Sequence, residues 1–340
     1  MARSLASGML VAVQSPTPHD ALVKAIFSDP EHAAGELRHL LDPAFAARVV
    51  WSSLRLVAGS FVDDTLRGRH TDLLFSARVP VDNAEGETVE VLLYLLFEHQ
   101  STDDPLMPFR LLLYIVRIWE KIVRETPSLR RLPAILPMVL HHSERGWVSP
   151  TTLHGIIDLD AKAMAVVGKH VPQLAMMLDD LSDQSDDSLR SRAASALGRL
   201  CLFCLRHARE PQVLLEQLRR WLDLIREIQA APGGSDALVL IWRYIMITNG
   251  QATPEAVVAK LLDVVGVEHT EEIMTAGEQL IERGMKVGQE KSLLKLLRSR
   301  FGALPDATAA QIHLADSARL DAWFDRALTA ATLDDVFDGV

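Results

Sequence analysis

Cysteine is almost missing from this chain: 340 residues contain only Cys201 and Cys204, too few for a disulfide framework. Their C-x-x-C spacing is one that redox and metal sites use, but Leu202, Phe203 and Leu205 surround them in a helical pattern. The expectation is a pair of buried thiols. No segment reaches the roughly 18 consecutive apolar residues that a membrane helix requires. Positive charge is also short, 35 Lys and Arg against 45 Asp and Glu for a net charge of −10. That balance excludes indiscriminate nucleic-acid binding, which depends on clustered Lys and Arg releasing counterions. It leaves room for a nuclease, in which metal ions offset an acidic site and local groups such as Arg67, Arg69, Arg110, Arg117, Arg130 and Arg131 line a path for phosphates. What remains is ordinary for a globular protein of one large domain or two, 49% hydrophobic and 24% charged. A weakly apolar opening with no cleavage site reads as a frayed leader over residues 1–17, and a reducing cytoplasm fits best.

The chain is organised around residues 89–101, VEVLLYLLFEHQS. A run this rich in Val, Leu, Tyr and Phe, and too short for a helix, predicts a central strand buried on both faces. Its polar end needs a reason. Alternation puts Glu98 and Gln100 on one face and His99 on the other. Residues 72–79 predict a preceding strand, joined to it by the turn-like 82–86 segment, so the two form a hairpin. If the turn centres on Glu85, Asp72 lies directly across from Glu98. Opposed carboxylates repel unless one is protonated or a cation lies between them. A Mg²⁺-like ion, which takes a few carboxylate oxygens plus water, resolves the conflict.

Asp72 followed by Glu98-X-Gln100 at the end of the next strand resembles the PD-(D/E)XK nuclease core, with Gln where Lys is commoner. The words around it sharpen the likeness: Ser60-Phe61-Val62-Asp63-Asp64, Asp72-Leu73-Leu74-Phe75 and Glu98-His99-Gln100-Ser101. They resemble the bacterial Rpn family of recombination-promoting nucleases, also called YhgA-like putative transposases. His19-Asp20 with Lys24, Phe27-Ser28-Asp29-Pro30, Arg300-Phe301-Gly302, Leu320, Trp323 and Leu333-Asp334-Asp335-Val336-Phe337 fit the same family. The likeness covers most of the chain. The family pattern also expects an aromatic-His-Gly word followed by Trp; Trp147 fits, while His141 and Ser143 depart from it.

In chain order, helices are expected over 18–28, 30–41 and 42–50, and a first strand within 53–61. The 62–70 loop carries Asp63, Asp64, Arg67 and Arg69. Asp103, Asp104 and Pro105 open a helix to about residue 125, with an acidic cap and a proline in its first turn. Arg110, Tyr114 and Arg117 share a stripe on that helix. It can meet a phosphate backbone, or Tyr114 is core and the arginines pair with neighbours such as Glu120. A last strand is expected over 133–140. The adjacent His141 and His142 then face opposite ways and cannot readily share a metal; His142 reads as a hydrogen-bonded structural residue. Beyond residue 150 helical spacing takes over at 171–181, 189–209, 211–229, 236–247 and 254–265. A long charged helix from Thr270 to Arg300 follows, stopped at Phe301-Gly302.

The architecture expected is α/β: a PD-(D/E)XK-like restriction-endonuclease core, a small mixed sheet flanked by helices, over residues 18–150. A helical region, 151–268, packs on it, and a long helix with a helical tail occupies 269–340. The resemblance implies Mg²⁺- or Mn²⁺-dependent hydrolysis of DNA phosphodiesters, linked to recombination or mobile elements. Asp72 and Glu98 are the expected metal ligands, with the backbone carbonyl of His99 completing the site and Asp63 or Asp64 as further candidates. Gln100 cannot act as a general base but can orient water or a transition-state oxygen. Arg110, Tyr114 and Arg117 are the DNA-backbone candidates. Two other classes stay open: a nuclease-fold DNA-binding or regulatory module that has lost cleavage, and a helical interaction protein that forms homo-oligomers through its C-terminal region.

Overall fold

The computed structural model describes residues 17–57, 71–81, 88–98, 104–249 and 253–337. Helices α1 (Pro18–Phe27), α2 (Pro30–Leu40) and α3 (Pro43–Ala46) lead into strands β1 (Val50–Leu56), β2 (Thr71–Pro80) and β3 (Thr88–Glu98). Helix α4 (Met107–Glu125) then crosses to strand β4 (Ala134–His141). Each of the first three helices begins with a proline behind a capping Thr17, Asp29 or Asp42, whose side chain accepts a backbone N–H of the first turn. The third is only one turn long, shorter than expected, because the chain turns into β1 at Val50.

The sheet has five strands in the order β1-β2-β3-β4-β5, and β5 is Met177–Asp180. Residues 171–181 were expected to be helical. They instead supply this short strand, which pairs in parallel with β4. A four-residue strand is too short to establish an alternating pattern, and Leu178 and Asp179 fall on opposite sides of the sheet, one in each environment. β1–β2 and β2–β3 are antiparallel; β3–β4 and β4–β5 are parallel.

The β2–β3 register differs from the expected one. Asp72 pairs with Leu96, and Thr71 with Phe97, so Glu98 lies two positions along from the residue facing Asp72. This register sets Arg78 against Glu90, where the expected one sets it against Leu92; opposite charges across a pair are favoured. A shift of this size preserves parity. The two acidic positions become diagonal neighbours in one row instead of a directly opposed pair.

The two faces of the sheet are covered differently. Leu74, Leu92, Tyr94 and Val139 face Met107, Leu111, Tyr114, Ile115 and Ile118 of α4, and this is the front. Leu73, Phe75, Leu93, Leu95, Met138 and Leu140 face the back, in a larger core shared with α1 and α2. The rest of that core comes from the helices after β5. Helix α5 (Ala161–Val167) precedes β5, and α6 (Asp186–Ser191), α7 (Ala196–Arg206), α8 (Pro211–Gln217), α9 (Leu222–Ala230), α10 (Gly234–Thr248) and α11 (Pro254–Val265) follow it. Of these, α6 to α11 bury side chains in the back core, among them Leu189, Cys201, Cys204, Leu214, Ile225, Trp242 and Leu261. Both thiols are fully buried, and burial pushes their pKa values up.

The 189–209 and 211–229 segments, each expected as one helix, are broken. Arg192 leaves helical geometry at the end of α6, and a short 3-10 turn separates α8 from α9. The first break serves a contact. Arg192 Nη1 donates to Glu36 Oε2 (2.9 Å) and Asp179 Oδ2 (2.6 Å), and Nη2 donates to Asp179 Oδ1 (2.9 Å), with all three residues buried. Burial and the neighbouring Asp179 raise the Glu36 pKa well above the usual carboxylate range. Gly35 beside it allows the approach: a Cβ there would lie 2.4 Å from Ala194 Cβ.

The chain closes with α12 (Thr270–Phe301), ending at Gly302 as expected, then α13 (Asp306–Leu314), α14 (Ser317–Thr329) and α15 (Asp334–Phe337). Ile273 and Ala276 at the start of α12 join the back core. Leu293 and Leu297 near its end form a third core with Ile312, Leu320, Trp323 and Val336. Among the described residues, no helix is long and apolar enough to cross a membrane.

Candidate active site

Strands β3, β4 and β5 run parallel and finish at the same edge of the sheet, the kind of edge at which α/β proteins bind ligands. Along it Glu98 pairs with His141, and His141 with Asp180. Asp72 of β2 lies diagonal to Glu98. Alternation from Leu74, Tyr94 and Val139 assigns positions 72, 98 and 141 to the front row, the row covered by α4. The backbone thus brings Asp72, Glu98 and His141 onto one face of three neighbouring strands.

His141 was not singled out in the sequence for any role in the site. Its place opposite Glu98 depends on a parallel register set by the α4 crossover, which no local pattern encodes. The ring is fully buried and meets Trp147 edge-on, with centroids 5.0 Å apart. Trp147 is held in turn: its backbone N–H donates to Asp180 Oδ2 (2.5 Å), while Ser182 N–H donates to Oδ1 (3.0 Å). Gly146 makes the turn with φ +74°, and a Cβ there would press on Asp180 Oδ2 at 3.1 Å. Ser143 N–H donates to Ser182 Oγ, which donates back to the Ser143 carbonyl. These bonds tie the loop after β4 to the end of β5, and they give the departing His141 and Ser143 a structural reason.

On α4, Tyr114 is buried and its ring packs 5.8 Å from that of Tyr94, four residues before Glu98 in the same row. Arg110 Nη1 donates to Asp104 Oδ2 (2.6 Å), and Nη2 lies 3.5 Å from the Tyr114 hydroxyl. Asp104 is thus a charge partner of Arg110, a neighbour of the expected kind. The expected acidic cap with Pro105 in the first turn is corrected: α4 starts at Met107 with Pro108 in the first turn, and no side chain caps it. The Asp104 carboxylate instead accepts from the Leu106 N–H (2.9 Å) and from Arg110, fixing residues 104–110 at the start of the helix. Arg117 is half-buried, with Nη1 shielded from solvent.

His142 belongs to the opposite side. It is buried, and its pKa falls to about 3, through burial first and then the nearby Arg209 and His19. His19 Nδ1 lies 2.7 Å from the Tyr244 hydroxyl, and burial with Arg209 lowers its pKa to about 4. Both imidazoles are neutral at pH 7. This agrees with a structural His142 and gives the His19 word a packing reason on the back of the sheet.

His99, Gln100, Asp63, Asp64, Arg67, Arg69 and the 82–86 turn lie outside the described residues, as does the leader up to residue 16. For Asp72 and Glu98 the described feature is the backbone register. Among the described residues, no group of three or more His, Cys, Asp or Glu is arranged to hold a metal ion.

Comparison with known proteins gives a consistent picture. Residues 17–234 match the family described as putative transposase, YhgA-like. The chain is 29% identical over 272 residues to recombination-promoting nuclease RpnD of Escherichia coli O157:H7, covering 78% of this chain and 94% of that protein. It is 27% identical over 271 residues to recombination-promoting nuclease RpnA of Escherichia coli K12, covering 80% and 86%. It is also 23% identical over 278 residues to the inactive recombination-promoting nuclease-like protein RpnE of the same strain, covering 82% and 86%. No solved structure matches.

Proposed function

Since the chain belongs to the YhgA-like putative transposase family, we propose that it is a metal-dependent DNA endonuclease with a PD-(D/E)XK-type core, acting in recombination or on mobile DNA. The observation that carries this reading is the β2–β3 register, which makes Asp72 and Glu98 diagonal neighbours in one row at the edge where three parallel strands end. Two carboxylates so spaced suit a hard, oxygen-preferring ion such as Mg²⁺ or Mn²⁺. Asp72, Glu98 and the His99 carbonyl would hold it, with Asp63 as a further ligand. The ion would supply neutralising charge and acidify a bound water.

In the hydrolysis, the water oxygen bonds to phosphorus, the bond from phosphorus to the leaving sugar oxygen breaks, and that oxygen gains a proton. Gln100 follows Glu98 by two residues in the chain. Its amide orients the water or donates to a transition-state oxygen; having no titratable proton, it is not the base. His141, across from Glu98 and backed by Trp147, stiffens the strand edge on which the carboxylates sit. Arg110 lies in the first turn of α4, and Arg117 lies two turns further along the same helix. Arg110 is engaged by Asp104, so contact with a DNA phosphate would require it to share or exchange that partner.

A second reading, a nuclease-fold module without cleavage, is favoured by the name of one relative of comparable similarity, which is called inactive. A supercoiled-plasmid nicking assay separates the two. The proposed enzyme nicks with Mg²⁺ or Mn²⁺, stops with EDTA, and loses activity in Glu98→Ala. If wild type and Glu98→Ala share the same trace activity, the module reading replaces the nuclease.

A further inference from the structure

Strand β1 does not follow β2 in regular register. Val50 lies opposite Arg78 and Arg55 opposite Ser76, so β1 bulges between them. Inside the bulge the Ser53 hydroxyl stands in for the ladder: it accepts the Arg78 N–H (2.8 Å) and donates to the Val50 carbonyl (2.5 Å). Bulges are common where a strand re-aims side chains beside a site. Here a pocket of about 330 Å³ lies against the bulge, lined by Ser53, Arg55, Ser76, Arg78, Thr88 and Glu90.

The wall of this pocket includes an unanswered hydroxyl. Ser76 is 1% exposed, and its Oγ has no hydrogen-bond partner among the described residues. Burying such a group costs stability unless something else supplies the partner. Beside it Glu90 Oε1 accepts from Arg55 Nη2 at 2.5 Å, although Arg78 is the residue across the ladder from Glu90. The Arg78 guanidinium is left in no ion pair or hydrogen bond among the described residues, and the residue is exposed. Protection of an edge strand accounts for charges along β1, which lies at the rim of the sheet. It does not account for the bare hydroxyl.

We infer that this pocket holds a phosphodiester group of a DNA strand. Two arginines and one glutamate leave one net positive charge, which matches the single negative charge of a diester. A phosphate monoester, at about −1.5 to −2, would leave excess negative charge beside Glu90. One free oxygen of the diester accepts from the Ser76 hydroxyl and the other from Arg78, whose planar fork of donors suits phosphate. Ser76 and Arg78 share the front row of β2 with Asp72, and Ser76 lies four residues from it, about 13 Å at strand rise. That is close to the advance of about four phosphates along one strand of a duplex. Leu74 between them is buried under α4, so the pocket is a contact separate from the acidic row. The choice of DNA as the source of the diester rests on the nuclease reading.

Binding of a short fluorescent duplex by the full chain, followed by anisotropy in EDTA so that nothing is cleaved, tests the pocket. Arg78→Glu should weaken binding about tenfold or more and lower the salt slope by about one phosphate contact. Arg78→Lys, which keeps the charge, should keep the slope. Ser76→Ala should weaken binding by about threefold while melting no lower than wild type, since no hydrogen bond within the chain is lost. With Mg²⁺, Arg78→Glu should raise the KM of nicking more than it lowers kcat. Inorganic phosphate should displace the duplex no better than chloride at equal ionic strength; a phosphate-specific displacement that Arg78→Glu removes would assign the pocket to free phosphate and overturn the diester. A wild type that nicks, with an Arg78→Glu variant of unchanged affinity and salt slope, overturns the pocket and leaves the nuclease standing. A wild type that binds through Arg78 but nicks no DNA supports the pocket and overturns the nuclease. No binding of the duplex by wild type overturns both.

Discussion

The back and front of the sheet use the same strands for different ends. On the back, Leu73, Phe75, Leu93 and Leu95 join α1, α2 and α6 to α11 in one core that reaches the start of α12, and even its charges are internal. On the front, one helix covers a smaller core, and the strand ends beyond Tyr94 carry Asp72, Glu98 and His141. Titratable groups behind the sheet are held by packing and by each other. Those in front lie at an edge where a ligand could enter. Function is thus expected to fail without unfolding when the front is changed, and folding to fail first when the back is changed.

The largest effect on stability is expected at Arg192. Removing its guanidinium leaves Glu36 and Asp179 buried without a counter-charge, which typically costs about 3–5 kcal/mol. Arg192→Met should therefore lower the urea midpoint sharply. A loss under about 1 kcal/mol would mean that the three residues are more hydrated than their burial implies. On the front, Gln100→Ala should slow plasmid nicking by roughly ten- to a thousandfold, with metal binding nearly intact. Gln100→Lys should remain active; a Gln100→Ala enzyme at the wild-type rate would make the glutamine structural.

Acid provides a finer comparison. His19 and His142 have folded pKa values depressed to about 4 and about 3, against an ordinary value near 6.5. Above pH 6.5 neither state is protonated and they contribute nothing to the pH dependence. Below it the unfolded chain takes up the protons first, so stability falls as pH drops from 6.5 towards 4, by at most about 1.4 kcal/mol per unit for each histidine. Glu36 acts in the opposite sense. Its raised pKa contributes stability that is complete below the ordinary carboxylate value and is lost as pH rises through the folded value. His142→Phe should flatten the acid limb of a denaturation series, and Glu36→Gln the upper one. The smallest effect belongs to His141→Phe, which keeps the ring contact with Trp147: melting should change little and nicking fall by about tenfold or less.

Much of this arrangement is legible in the sequence because it is written locally. The apolar run before Glu98 fixes a strand buried on both faces, Pro behind Thr or Asp fixes the starts of the first helices, and Gly302 fixes the end of α12. The acidic pair is visible as a row because alternation has period two, and parity survives the change of register that makes Asp72 diagonal to Glu98. What depends on distant partners is not legible. β5 is four residues long and is a strand only because β4 lies beside it. The break at Arg192 exists to reach Glu36 and Asp179, which lie 156 and 13 residues away in the chain. His141 faces Glu98 only once α4 has set the crossover.

The central claim, that the front row at the end of β3 is a divalent-cation site, is tested most directly by the metal dependence of melting in wild type and Asp72→Asn. Binding to the folded state alone raises its stability by about 2.7 kcal/mol at a hundred times the dissociation constant. Wild type should therefore melt higher as Mg²⁺ or Mn²⁺ is added. Asp72→Asn should melt at or slightly above wild type without metal, since diagonal carboxylates repel only modestly, and should lose most of the metal-induced rise. An equal rise in both proteins would place the cation elsewhere and contradict the account.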